Sequence, residues 1–232
     1  MCGRFTLRAR PAAIVEHFAL LPPDILDGLR LSPRFNIAPG QPVLSIRRDK
    51  DGARVPAMVR WGLVPHWAKD PSIGNRMINA RAETLAEKPA YRTAFRRRRC
   101  LIPADGFYEW HKKDAAKQPY FFHKKDDGLF AFAGLWERWE GADYSYLETF
   151  TIVTTTAGEP VRPYHDRMPV ILAPEAYDTW LDPEADTATL QTLLRPADDD
   201  LLEAYPVSTL VNRPIHDSPR CIEPVDRQGT LF

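Results

Sequence analysis

The second residue of this 232-residue chain is a cysteine, followed at once by Gly3 and Arg4. A small residue there is compatible with removal of the initiator methionine, so the processed chain is expected to start at Cys2. A terminal cysteine carries an amine and a thiol on neighbouring carbons, with reference pKa values of about 7.7–8.0 and about 8.5. Near neutrality both are then partly in their nucleophilic forms. An aldehyde can condense with the amine to an imine, and the thiol can close on the imine carbon to give an unstrained five-membered thiazolidine. A chain that keeps Met1 has only the thiol.

Three further segments set polar groups among apolar ones, where burial without a task costs free energy. Asn79 and Arg81 lie two apart in Met77-Ile78-Asn79-Ala80-Arg81-Ala82-Glu83-Thr84. Glu109 stands between aromatics in Gly106-Phe107-Tyr108-Glu109-Trp110, where desolvation would raise its pKa towards the range useful for proton transfer. His165 and Arg167 precede a strand pattern in Tyr164-His165-Asp166-Arg167-Met168-Pro169. Taken singly, each has a structural explanation: a turn or cap for Asn79, an ion pair with Arg99 or Arg138 for Glu109, a strand-edge histidine for His165. Arg4, Arg81 and Arg167 each lie two residues from one of the chemical candidates. Converging cations suit phosphates that flank a reacting sugar. Trp67 offers a base-stacking face, while Trp61 reads as core. The run Arg96-Arg97-Arg98-Arg99 reads as a solvated face.

These residues need a scaffold, and the composition supplies one. Hydrophobic residues make up 44% of the chain, enough for a sizeable core. Lys plus Arg equals Asp plus Glu at 31 each, so no global field draws in nucleic acid and any polyanion site must be local. No apolar run is long enough to span a bilayer and no leader is evident, which predicts a cytoplasmic protein, nucleoid-associated in a bacterium. Three cysteines, Cys2, Cys100 and Cys221, make neither a disulfide framework nor a zinc spacing, and no metal or cofactor is expected. Cys100 and Cys221 read as small buried hydrophobes. The 22 prolines favour short elements. Strands are predicted over 43–47, 55–61, 100–103, 120–123, 129–135, 149–155 and 169–173, with a hairpin turn at 124–128. Helical patterns fall at 12–18, around 82–95, at 175–181 and at 188–194. The expectation is one compact α+β domain.

Together these segments resemble the SRAP family, the SOS-response-associated peptidase domain that shields abasic sites in single-stranded DNA. The matching features are the opening Cys-Gly-Arg-Phe, Phe35-Asn36-Ile37-Ala38-Pro39, Trp61-Gly62-Leu63, the run from Asn79, the run from Gly106 and His165 to Pro169, in the family's order. The resemblance implies a barrel-like, mostly antiparallel β core with flanking short helices over 1–218, followed by a tail at 219–232. It implies a catalytic site of Cys2, Asn79, Glu109 and His165, with Arg4, Pro39, Trp67, Arg81 and Arg167 against the DNA. It also implies lyase-like and autopeptidase chemistry, the latter removing Met1.

Other classes share some of these features. An N-terminal-nucleophile amidohydrolase also begins Met-Cys-Gly, a thiol peptidase could use Cys2 with His165 and Asn79, and a non-enzymatic single-strand-binding module would leave Cys2 incidental. The end of the chain, Gln228-Gly229-Thr230-Leu231-Phe232, resembles the short peptide by which bacterial repair proteins dock on the sliding clamp, through Gln228, Leu231 and Phe232. A monomer is expected.

Overall fold

β-branched and aromatic runs broken by proline and glycine form short strands in preference to long helices. The computed structural model describes residues 2–29, 31–113 and 116–225. Its strands are β1 (Phe5–Leu7), β2 (Arg34–Ile37), β3 (Pro42–Arg48), β4 (Arg54–Trp61), β5 (Asn79–Arg81), β6 (Arg99–Ala104) and β7 (Gly106–Lys113). They continue with β8 (Ala116–Lys124), β9 (Phe130–Glu140), β10 (Tyr146–Thr156), β11 (Arg167–Pro169), β12 (Ile171–Leu172) and β13 (Leu202–Pro206). Short helices α1 (Pro11–His17), α2 (Arg92–Arg97), α3 (Tyr177–Leu181) and α4 (Thr187–Thr192) lie between them.

Strands β9, β10, β4, β3 and β6 pair in a ring, with β6 returning to β9, so this barrel has no open edge within it. A second sheet, in the order β13-β8-β7-β1-β2, shares its core. Phe5 of β1 and Phe107 of β7 meet Phe132 of β9 edge-on, with ring centroids 5.6 and 6.1 Å apart. Pairing is mostly antiparallel; β10 runs parallel to β4 and to β5. The α+β class and the barrel-like core are as expected. Among the described residues no helix is long and apolar enough to cross a membrane, and no cluster of His, Cys, Asp or Glu could hold a metal ion.

Three expectations are corrected. The turn at 124–128 forms, with Asp126 Oδ1 accepting from Gly128 N–H at 2.9 Å, yet it is no hairpin. Strand β8 pairs with β7 and β13 while β9 belongs to the barrel, so the turn crosses from one sheet to the other. The helical pattern around 82–95 breaks into a 3-10 turn at Ala82–Thr84 and α2, with Pro89 between them. The arginine run is not one solvated face. Arg97 pairs with Glu184 and Arg98 with Glu137, while buried Arg99 donates to the carbonyls of Phe95 and Trp180, both at 2.6 Å. Cys100, Cys221 and Trp61 are core residues, as predicted.

One backbone contact sets the path from the barrel to β5. Gly62 follows β4 with φ +124°, and a Cβ there would lie 2.6 Å from the Gly74 carbonyl oxygen. The segment between the two glycines is thereby folded back, and Leu63 N–H reaches the Met77 carbonyl at 3.1 Å, just before Asn79. Gly62→Ala therefore meets both a disfavoured φ and backbone overlap, an expected loss of roughly 2–5 kcal/mol. Gly28→Ala, with nothing within 4 Å of its added methyl, is the control. Equal melting temperatures for the two variants would refute the tight contact.

The described chain stays on the domain beyond residue 218. Cys221 is buried, and Pro224 bridges to Val207. The clamp-like residues Gln228, Leu231 and Phe232 lie outside the described residues.

Candidate active site

Strand β1 delivers Cys2. Phe5 pairs with Phe107 and Thr6 with Gly106, and the Tyr108 N–H donates to the Arg4 carbonyl at 3.0 Å. The first residues thus run antiparallel beside β7, towards Glu109. Asp105 anchors the far end of this pairing by accepting from Thr6 Oγ1 at 2.6 Å and from the Ala9 N–H at 3.0 Å.

Cys2 is 0% exposed, and burial followed by the charge of Glu109 drives its thiol well above the usual thiol range. Its Sγ faces the Arg4 carbonyl at 3.8 Å. In the chain that carries Met1, burial thus disfavours the thiolate.

Asn79 opens β5, opposite Ile152 of β10 in parallel register. Its Nδ2 donates to the Cys2 carbonyl at 2.9 Å. Its Oδ1 is buried and accepts no hydrogen bond among the described residues, so it can take a donor from a ligand.

Glu109 lies on β7, 2% exposed, and burial pushes its carboxyl up to about 7. Such a group gives and takes protons equally well near neutrality. The suggested ion-pair partners are engaged elsewhere, Arg99 on backbone carbonyls and Arg138 over the Tyr146 ring at 3.7 Å.

His165 sits just before β11. Its Nδ1 accepts the Arg167 N–H at 2.9 Å, which in the neutral ring leaves the proton on Nε2. Asp166 Oδ1 stands 2.8 Å from the same Nδ1, ready to accept from it when the ring is protonated. Burial lowers the His165 pKa and favours the neutral form. Glu109 and His165 line one cleft of about 440 Å³, together with Trp110, Lys112, Lys117, Tyr164 and Asp166.

The four chemical candidates, from four separate stretches of sequence, thus converge. Cys2 is tied to Asn79 by a hydrogen bond and to Glu109 by charge, and Glu109 shares its cleft with His165. The proposed DNA-facing residues divide. Arg81 is exposed and Trp67 is 51% exposed, both open to a strand. Pro39 is half-buried beside Gly40, whose φ of +84° makes the turn into β3. Arg167 is engaged in a two-pronged pair with Glu83 at 2.8 and 3.0 Å and donates to the Thr154 carbonyl at 2.6 Å. Arg4 donates to Asn36 Oδ1 at 2.9 Å and to the carbonyls of Val211 and Asn212 at 2.5 and 3.1 Å.

Asn36 is a positioning residue that sequence reasoning passed over. Fully buried, its Nδ2 donates to the carbonyls of Val211, Arg213 and His216 at 3.1, 3.2 and 2.7 Å. The loop it ties down also meets the cleft, where Trp110 Nε1 donates to Asn212 Oδ1 at 2.7 Å. A polar residue between Phe35 and Ile37 was the available signal.

Known proteins resemble this chain along most of its length. Residues 1–214 match the family described as SOS response associated peptidase (SRAP). The abasic site processing protein YoqW of Bacillus subtilis (strain 168) is 48% identical over 225 residues, covering 96% of this chain and 99% of that one. The abasic site processing protein HMCES of Gallus gallus is 36% identical over 238 residues, covering 88% and 70%. An X-ray crystal structure of a protein from Bacteroides thetaiotaomicron superposes with a TM-score of 0.87 at 26% identity, covering 97% and 100%. With the match running from the first strand to the loop held by Asn36, the chain belongs to the SRAP family.

Proposed function

We propose that this protein captures abasic sites in single-stranded DNA as a thiazolidine on Cys2, shielding the lesion. The names of its relatives support abasic-site processing. The observation that carries the chemistry is the hydrogen bond from Asn79 Nδ2 to the Cys2 carbonyl, which holds the residue bearing both nucleophiles beside an acid that titrates near 7.

Removal of Met1 by self-processing frees the Cys2 amine. An abasic deoxyribose is mostly a closed hemiacetal; as it opens, the Glu109 carboxylate takes the anomeric hydroxyl proton and protonated His165, its Nδ1–H towards Asp166, gives the Nε2 proton to the ring oxygen. The amine then adds to C1′. Glu109 protonates the departing hydroxyl, and water leaves as the imine forms. The thiol adds across the C=N bond, carbon–sulfur bond formation being matched by transfer of the thiol proton through Glu109 to nitrogen. The net reaction releases one water. An imine that persists before closure permits β-elimination, seen as strand cleavage, and this is the lyase side activity.

An amidohydrolase or a thiol peptidase attacks first with a thiolate, a form that the burial of Cys2 disfavours. In the order proposed here the amine attacks first and the thiol only closes the ring.

Intact mass of the protein after incubation with single-stranded DNA carrying one abasic site tests the reading. The expected species is the sum of protein and DNA less one water, absent with undamaged DNA. His165→Ala is expected to slow its formation by about 10²–10⁴-fold. An oligonucleotide carrying an aldehyde that cannot cyclise restores the rate, since no ring oxygen then needs a proton. Equal slowing on both substrates would remove His165 from the opening step.

A further inference from the structure

The hairpin of β7 and β8 carries a feature that the site described so far does not use. Lys112 of β7 and Lys117 of β8 are direct cross-strand partners, and both are exposed. Side chains so placed have Cβ atoms about 4.5–5.5 Å apart, and like charges directly opposite each other destabilise a strand pair. Neither lysine forms an ion pair with a carboxylate among the described residues, so nothing in that set offsets the repulsion. Both line the cleft that holds Glu109 and His165. Of the cleft's other charged groups, Asp166 turns its carboxylate to His165 Nδ1 at 2.8 Å. Two adjacent cations at the mouth of a reaction cleft match a phosphodiester oxygen pair, which would relieve the repulsion when bound.

We propose that Lys112 and Lys117 seat a backbone phosphate of the DNA strand beside the reacting sugar, so that the strand leaves the site along the β7–β8 hairpin. This inference deepens the proposed function and rests on it for the identity of the strand. It places one flank of the lesion on the hairpin, on an element separate from those that carry Arg81 and Trp67.

The test measures equilibrium binding of undamaged single-stranded DNA by fluorescence anisotropy across a salt series, a readout that needs no covalent chemistry. The double variant Lys112→Ala with Lys117→Ala is expected to bind about tenfold more weakly. Its slope of log K against log salt should be shallower by about 1.4, two phosphate-neutralising charges at roughly 0.7 each for a single strand. Lys112→Arg with Lys117→Arg should bind as the parent does, and Lys50→Ala, an exposed lysine on another turn, should change little. The double alanine variant should melt no lower than the parent, because a repulsive pair is removed. In a second arm, abasic oligonucleotides carry one uncharged methylphosphonate linkage on either side of the lesion. The linkage on one side should slow adduct formation by the parent and leave the double alanine variant unaffected. Unchanged affinity and salt slope in the double variant would overturn the phosphate seat even if the parent forms the adduct. Absence of the adduct with a changed slope would instead sink the capture chemistry and leave the lysine seat standing.

Discussion

Cys2→Ala is expected to form no denaturation-resistant adduct with abasic single-stranded DNA, and Cys2→Ser at most a weaker, more labile one. The magnitude follows from both nucleophiles sitting on one residue. Ring closure is intramolecular, and well-oriented closures of this kind reach effective molarities of about 10⁵–10⁸ M, which no external thiol supplies. The sharper variant keeps the thiol and blocks the amine. A chain that retains Met1 should fail to crosslink although its Sγ is intact. Intact-mass measurement checks both, and an undiminished adduct on the Met1-retaining chain would remove the imine, and with it the thiazolidine, from the mechanism.

The second large effect is expected from Glu109→Gln, and it has two parts of opposite sign. Adduct formation should slow by about 10²–10⁴-fold, because the group that moves protons among amine, water and thiol is gone. Stability should rise. Burial lifts Glu109 from the ordinary 4.5 to about 7, so between those values the folded state binds more protons than the unfolded one. Folding stability therefore falls as pH rises through that window, by roughly 3 kcal/mol when both states are ionised. Below pH 4.5 both states are protonated and the difference vanishes. Glutamine never ionises, so urea denaturation should find the variant more stable than the parent at pH 8 and closer to it at pH 5. A variant that is no more stable at pH 8 would show that the carboxylate is better solvated than its burial implies.

That opposition explains what the sequence could disclose about the site. A carboxylate wedged into Phe107-Tyr108-Glu109-Trp110 is a local conflict, and such conflicts persist where chemistry requires them. Asn79 and His165 were legible for the same reason, as polar residues in apolar runs. The expected strands were legible from β-branched and aromatic runs: five lie within observed strands, 129–135 starts one residue ahead of β9, and 169–173 spans the junction of β11 and β12. The missing elements were those whose existence depends on distant partners. β1 and β5 are three residues long, too short for an alternating pattern, and each is a strand because β7 or β10 lies beside it. β7 itself was read for its chemistry alone, and with it went the true hairpin and the facing of Lys112 and Lys117. The burial of Cys2 was invisible too, since a chain terminus ordinarily reads as exposed.

The burial has a bearing on how the protein endures between encounters. Peroxide, alkylating agents and disulfide exchange all act on the thiolate, which burial disfavours at Cys2, and a side chain that is 0% exposed gives them no direct access. Cys100 and Cys221 are buried as well, so no cysteine among the described residues stands ready to form a mixed disulfide. Under the proposed chemistry each lesion occupies the one residue that carries both nucleophiles, so an intact Cys2 thiol is needed at every encounter. What the folded terminus then confers is shelf life: a reactive group kept reduced until a DNA strand arrives.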